Sequence, residues 1–230
     1  MSGRGVGLAR SYCRFQPGVF IVSDYVCPYC IAAKAAMLPA LLPEDTVEWL
    51  PYELTPETKP RVDTYHDPVR AKKWAESLVP ACKALGLDVK LPPKVIPRPY
   101  TRLAFEGYHF ACDHGLGEAY NARMYDAYFR DELDIGELSV LRALAEEIGL
   151  PGDAFEQALK NGVYTEKQKE LNAYTHEVLQ VKGVPTIFID GQKVEGGVYT
   201  TEDWRKLLRD AEEAQKAQGA FCSADGNCGF

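Results

Sequence analysis

The sequence lacks the features that mark membrane proteins and nucleic-acid-binding proteins. None of its 230 residues belong to a run approaching the roughly 20 apolar residues that a membrane-spanning helix needs. Basic residues are the minority, 26 against 33 acidic residues, and no basic cluster lies on a predicted helix. We therefore expect neither a membrane nor a nucleic acid as a partner.

The chain is also poor in cysteine for a scaffold held together by disulfide bonds. It has seven cysteines in 230 residues, an odd number. Residues 1–10 lack the long apolar core of a secretory signal, so we expect a cytoplasmic protein. In that compartment, cysteines are more often catalytic or redox-sensing than structural.

The most informative stretch is Cys27-Pro28-Tyr29-Cys30. The apolar run 18–22 before it predicts a buried strand, and the helix formers of 31–38 after it predict a helix. A helix N-terminus has free backbone N–H groups and the positive end of the helix dipole, which favour a thiolate at Cys27. Cys30 follows one turn later, within reach of a disulfide bond. The pair is typical of a reversible dithiol.

Two other interpretations of this pair stay open. A C-x-x-C motif can be half of a zinc site, but such sites usually have a second C-x-x-C or an H-x-x-x-H pattern. The chain has neither, since its four histidines, His66, His109, His114 and His176, make no H-x-x-x-H pattern, and we predict no metal. The pair could also be structural without chemistry. The strand–cysteine–helix context favours redox chemistry.

The first part of the chain predicts a β–α–β unit. The helix after Cys30 extends towards residue 42, with Pro39 kinking it or ending it one turn early. Residues 46–52 predict a second strand. A parallel, right-handed crossover is the usual connection for this order of elements.

A block over residues 57–180 is nearly all helical in pattern. The predicted helices cover 68–85, 101–131, 139–148, 151–160 and 165–181. Gly115 and Gly117 are possible breaks in the second helix. Residues 91–99, rich in proline, predict an extended connector. Cys82 and Cys112 are expected to be buried free thiols. Five tyrosines are expected in the core of this block or along a groove: Tyr100, Tyr108, Tyr120, Tyr125 and Tyr128.

Strands return after the helical block. Residues 184–189 form an apolar, β-branched run, and Asp190-Gly191 predicts a hairpin turn into a second arm at 193–195. Thr201 is predicted to cap a final helix over 202–218, without the glutamate of a full capping box.

This order of elements, with Cys27-Pro28-Tyr29-Cys30 near the start and Val184-Pro185 near the end, resembles the DsbA-like family. Within it, the chain resembles the FrnE-like cytoplasmic branch, a neighbour of the 2-hydroxychromene-2-carboxylate isomerases and kappa-class glutathione transferases. The resemblance implies an α/β thioredoxin fold with a large all-helical insertion. Its predicted parts are a thioredoxin-like domain of 18–56 and 181–217, an insertion of 57–180 and a cysteine-containing tail of 218–230.

The resemblance also implies a cis peptide bond between Val184 and Pro185, in a loop beside the reactive cysteine. Proline is almost the only residue that permits such a bond. The loop would deny access to metals and present the backbone of Val184 to an extended substrate, with Pro28 and Tyr29 as further contacts. An ordinary trans-proline at the start of a strand is the alternative.

The expected mechanism is thiol-disulfide exchange without a cofactor. Cys27 forms a mixed disulfide with the substrate, and Cys30 resolves it. Asp24, three residues before Cys27, is a candidate for proton handling, although a hydrogen bond to the backbone is its simpler role.

The tail contains a second pair, Cys222 and Cys228, around a turn-forming Asp-Gly-Asn. This pair could be a second redox centre that exchanges with Cys27 and Cys30. Alternatively it could be a plain stabilising disulfide, or part of a metal site with Cys13 or a histidine.

Three functions compete at this point. The first is a disulfide oxidoreductase acting on protein thiols, with glutathione as a possible partner. The second is a glutathione-dependent isomerase or transferase, a branch that characteristically has serine where this chain has Cys27. The third is a non-catalytic binding module, which the intact cysteines and the Val184-Pro185 loop disfavour.

Overall fold

A computed structural model describes residues 18–43, 45–194 and 200–219 of the chain. The described part contains four strands and eight α-helices. The strands are β1 (Val19–Ser23), β2 (Val47–Pro51), β3 (Thr186–Ile189) and β4 (Gln192–Val194). The helices are α1 (Pro28–Met37), α2 (Pro68–Ala84), α3 (Arg102–Asp113), α4 (Gly117–Phe129), α5 (Leu138–Glu147), α6 (Gly152–Lys160), α7 (Thr165–Ala173) and α8 (Thr201–Gly219).

The four strands form one sheet in the order β2-β1-β3-β4. Strand β1 pairs parallel with β2, as the predicted crossover requires, and antiparallel with β3. Strands β3 and β4 form the predicted hairpin. This is the predicted thioredoxin-like fold, in which the helices α2 to α7 are inserted between β2 and β3.

Two predicted helices are shorter in the structure than the sequence pattern indicates. Helix α1 ends at Met37 and a 3-10 turn over Leu38–Ala40 contains Pro39, as expected for a proline at that point. The predicted helix over 101–131 is two helices, α3 and α4. Gly115 separates them with φ of +72°, a conformation that favours glycine.

Three sequence-based predictions about local features are wrong. The cap of α8 is Thr200, not Thr201. The Thr200 hydroxyl accepts a hydrogen bond from the Asp203 N–H at 3.2 Å. In return, the Asp203 carboxylate accepts one from the Thr200 N–H at 2.8 Å. Cys112 is exposed, because it lies at the end of α3 next to the turn. The helix over 165–181 is α-helical only to Ala173, followed by a π-helical turn over Tyr174–Val178. Cys82 is buried, as predicted.

A buried polar network connects the insertion to the end of β2. The Gln168 side chain of α7 contacts the His109 ring at 3.1 Å and the Glu53 carboxylate at 3.5 Å. Arg102 of α3 lies 3.5 Å from the same carboxylate. Gln168, His109 and Glu53 are each at most 5% exposed. Since buried polar groups must be paired, this network fixes how the insertion sits on the sheet.

The largest apolar cluster extends from the strand–helix turn of Cys27 and Cys30 into the insertion. Three of the five tyrosines singled out in the sequence, Tyr120, Tyr125 and Tyr128, lie fully inside it. The two cysteines are therefore packed against the insertion as well as against the sheet.

Candidate functional site

The candidate site lies where β1 ends and α1 begins. Cys27 is the N-cap of α1 in an extended conformation, and Pro28 occupies the first helical position. The Cys27 carbonyl accepts from the Cys30 N–H at 3.0 Å, which closes the first turn. Both cysteines are free thiols in this structure, with 3% and 2% of their surface exposed. The helix N-terminus favours a negative charge on Cys27.

Cys30 is the more deeply enclosed member of the pair. Burial raises the pKa of the Cys30 thiol well above its ordinary value, and the neighbouring Cys27 raises it further. Cys30 therefore stays protonated at neutral pH, and it needs a proton acceptor before it can act as a nucleophile.

The loop before β3 lies directly beside Cys27. The peptide bond between Val184 and Pro185 is cis, as the resemblance implies. The Cys27 thiol donates a hydrogen bond to the Val184 carbonyl, with 3.4 Å between sulfur and oxygen. Val184 and Pro185 are each partly exposed. The loop thus offers a backbone edge next to the candidate nucleophile.

Pro28 and Tyr29, the other predicted contacts, differ in exposure. Pro28 is buried, whereas Tyr29 is partly exposed and packs against the apolar cluster of Trp74, Leu78 and Cys82. Only Tyr29 of these two presents a surface that a substrate can reach.

Asp24 lies beneath the cysteine turn and is completely buried. Its carboxylate accepts from the Leu54 N–H at 2.7 Å and from the Val26 N–H at 3.4 Å, and its carbonyl accepts from the Cys27 N–H at 3.1 Å. Burial raises the pKa of Asp24 to about 6, and the hydrogen bond from Leu54 and the positive charge of Arg98 oppose that rise. Asp24 is therefore both a backbone anchor and a group that can exchange a proton near neutral pH.

Arg98 is a charged residue of this site that sequence analysis missed. It lies in the proline-rich connector, is 9% exposed, and its Nη2 donates to the Thr55 hydroxyl. Its backbone N–H donates to the Val62 carbonyl at 2.9 Å. Burial lowers the pKa of Arg98, while the negative charges of Asp24 and Cys27 oppose that shift. A cation thus faces both the buried carboxyl and the candidate nucleophile.

The structure brings together Cys27, Cys30, Asp24, Val184 and Pro185. Cys13, Cys222 and Cys228 lie outside the described residues. Among the residues that the structure does describe, no cluster of three metal-ligating side chains occurs. No helix within 18–43, 45–194 and 200–219 is long and apolar enough to cross a membrane.

Fold and site together define a thioredoxin-fold protein with a dithiol at the start of its first helix. Residues 19–207 match the DSBA-like thioredoxin domain, and the chain belongs to that family. The Bacillus subtilis protein YwbO is 38% identical over 194 residues, 84% of this chain and 96% of YwbO.

Two solved structures show the same fold. A probable DsbA oxidoreductase of Streptomyces coelicolor, SCO1869, has a TM-score of 0.70 at 23% identity, covering 86% of this chain and 91% of that one. The cytosolic disulfide reductase DsbM of Pseudomonas aeruginosa has a TM-score of 0.66 at 21% identity, covering 86% and 99%, and has also been solved with GSH. Family and paired thiols together support a thiol-disulfide oxidoreductase in general terms.

Proposed function

We propose that this protein exchanges disulfides with protein thiols through Cys27 and Cys30. The observation that carries the proposal is the position of Cys27, at the N-terminus of α1 and 3.4 Å from the Val184 carbonyl. A thiolate is favoured there, and the adjacent backbone edge can hold an extended chain.

The exchange proceeds in two displacements. The Cys27 thiolate attacks one sulfur of a substrate disulfide, and the other substrate sulfur leaves as a thiolate that takes a proton. Cys30 then loses its proton and attacks the Cys27 sulfur, which releases the second substrate thiol. The substrate gains two electrons, and Cys27 and Cys30 become a disulfide. The same steps in reverse oxidise a dithiol substrate.

Asp24 is the proposed acceptor of the Cys30 proton. The Cys30 thiol is too buried to ionise readily by itself, and the Asp24 carboxyl lies in the same buried turn. With a pKa of about 6, Asp24 is mostly ionised at neutral pH and close enough to that pH to return the proton.

Arg98 has the complementary role in this proposal. Its guanidinium favours the negative forms of Asp24 and Cys27, and its hydrogen bond to the Thr55 hydroxyl holds it in place. The substrate lies against the Val184 backbone, Pro185 and Tyr29, and pairs as an added strand.

Cytoplasmic location and a glutathione partner belong to the same proposal. DsbM, with this fold, is described as cytosolic and has been solved with GSH. The assignment to the FrnE-like branch and the second redox pair, Cys222 with Cys228, also stay proposals. A Cys222→Ser variant that leaves the turnover and redox state of Cys27 and Cys30 unchanged contradicts the idea of a relay.

A trapping experiment tests the central step. In Cys30→Ser, Cys27 can form the mixed disulfide but nothing resolves it, so a reduced variant incubated with an oxidised peptide accumulates a covalent adduct at Cys27. The matched control is Cys112→Ser, which removes an exposed thiol at the end of α3 and leaves turnover unchanged. An absence of adduct in Cys30→Ser contradicts the proposed function.

A further inference from the structure

Lys34 is a buried cation on α1, the helix that begins at the cysteine pair. It lies one turn after Cys30, and only 9% of its surface is exposed. Its Nζ is 5.0 Å from the ring centroid of Trp49 and 5.4 Å from that of Tyr125. Within the described part of the chain, this ammonium has no hydrogen-bond partner. Buried polar groups are nearly always paired, so Lys34 requires an explanation.

Stability alone does not explain a lysine here. Burial lowers the pKa of Lys34 to about 8, against the opposing charges of Glu118 and Asp126. The carboxylate of Glu118 is already hydrogen-bonded to Trp49 Nε1 at 2.8 Å. Two aromatic faces recover part of the desolvation cost through cation–π contact. An apolar side chain of the same length would fill this space without that cost.

The position of Lys34 relative to the dithiol provides the explanation. Residues four apart on a helix lie on the same face, with Cβ atoms about 5–6 Å apart, so Lys34 follows Cys30 on one side of α1. Tyr125, which Lys34 contacts, packs in one apolar cluster with Cys27 and Cys30. Charges in such poorly solvated surroundings interact more strongly than charges in water.

We propose that Lys34 is a positioning residue whose ammonium sets the redox equilibrium of the Cys27/Cys30 pair. This inference rests on the proposed function. Oxidation of the pair by glutathione disulfide consumes one thiolate and one thiol, forms the Cys27–Cys30 bond, and yields two molecules of glutathione after one proton is taken from solvent. When Cys27 reacts as a thiolate, the reduced pair carries a negative charge that the disulfide lacks. Lys34 therefore stabilises the reduced state and makes the protein a stronger oxidant.

The test is a redox titration of three variants beside the wild type. Lys34→Met removes the charge and keeps the length, Lys34→Arg keeps the charge, and Lys73→Met removes the charge of an exposed lysine on α2. Each protein is equilibrated with glutathione buffers at pH 7, alkylated and weighed by mass spectrometry. We expect Lys34→Met to favour the disulfide about tenfold, or about 30 mV for a two-electron couple. Lys34→Arg keeps the buried charge, and Lys73→Met removes a charge that solvent screens, so both should stay within about twofold of the wild type.

The outcomes separate this inference from the proposed function. If the wild-type pair exchanges with glutathione but Lys34→Met titrates like the wild type, or Lys34→Arg shifts as far as Lys34→Met, then Lys34 is a packing residue and the inference is wrong. If the wild-type pair does not exchange, the proposed function itself fails. Should Lys34→Met not fold, Lys34→Gln takes its place. A charge effect destabilises the reduced protein selectively, whereas a packing defect destabilises both redox states equally.

Discussion

Cys27 and Val184 are 157 positions apart in the chain, yet the thiol of one donates to the carbonyl of the other across 3.4 Å. The register of the sheet explains this contact. Strand β1 pairs antiparallel with β3, and Val22 lies opposite Thr186. The turn that leaves β1 and the loop that enters β3 therefore meet at the same end of the paired strands, whatever the length of the insertion between them.

We predict that Asp24→Asn removes a pH-dependent loss of stability while it slows the resolving step. Burial raises the pKa of Asp24 from 3.8 to about 6, so the folded protein favours the protonated acid. The wild type therefore loses free energy of unfolding as the pH rises from about 4 to above 6. Two units correspond to about 3 kcal/mol. In denaturant unfolding, the stability of Asp24→Asn relative to the wild type should rise by up to that amount between pH 4 and pH 8.

The predicted slowing of the resolving step is measured in a separate experiment. Asp24→Asn should slow the release of the mixed disulfide by Cys30 and leave the first attack by Cys27 nearly unchanged. Single-turnover mixing with an oxidised peptide separates the two steps. Equal slowing of both, or stabilisation that does not vary with pH, contradicts the account of Asp24.

For Arg98, we predict a loss of thiolate reactivity at Cys27 when the charge is removed. Arg98→Gln should move the pH midpoint of iodoacetamide alkylation at Cys27 upwards, because the thiolate loses a nearby cation. Arg98→Lys should restore much of that midpoint but lose the hydrogen bond to Thr55. Thr55→Val is the control for the hydrogen bond alone. Equal midpoints in Arg98→Gln and the wild type refute this role.

Gly107 on α3 should not tolerate even a methyl group. A Cβ at this position would contact the hydroxyl of the fully buried Tyr120 and lie 2.8 Å from Phe155 Cζ. Replacing glycine by alanine within a helix normally stabilises the protein by about 1 kcal/mol. Overpacking lowers the free energy of unfolding by about 1–3 kcal/mol or more, so we expect Gly107→Ala to be destabilised overall. Gly183→Ala, at a loop position where nothing lies within 4 Å, is the control in thermal unfolding for a methyl group added without overpacking. A more stable Gly107→Ala variant would contradict the packing around Tyr120.

His109 should make the protein sensitive to acid. Burial lowers the pKa of His109 from 6.5 to about 4, so the unfolded chain binds a proton that the folded one does not as the pH falls through this window. Relative to His109→Gln, the wild type should lose about 3 kcal/mol of stability between pH 6.5 and 4. If the free energies of unfolding of the two proteins change equally between pH 6.5 and 4, His109 is not held neutral.

The fold and the position of the cysteine pair were predictable because both depend on local patterns. A strand, Cys-Pro-Tyr-Cys and a helix are adjacent in the chain, and so are the elements of the β3–β4 hairpin. The end of α1 was predictable from Pro39, since proline restricts the backbone wherever it occurs. The break at Gly115 was visible only as an option, because a glycine within a helical pattern permits a turn without requiring one.

The charged surroundings of the dithiol were not predictable in this way. Arg98 lies between two prolines in a connector that pattern analysis treats only as extended chain, and its partner Thr55 is 43 positions away. Lys34 looks like a helix former among alanines. Its one signal was a lysine within an otherwise apolar helix. The exposure of Cys112 likewise depends on where α3 ends, which apolar periodicity does not fix.

The most direct test of the whole account is a redox titration of the wild type against glutathione, read by alkylation and mass spectrometry. We predict one exchangeable disulfide between Cys27 and Cys30 that is lost in Cys27→Ser, and a second one, lost in Cys222→Ser, if the tail takes part. If Cys27 and Cys30 stay reduced at every glutathione ratio, the account is contradicted and the pair is not a redox centre.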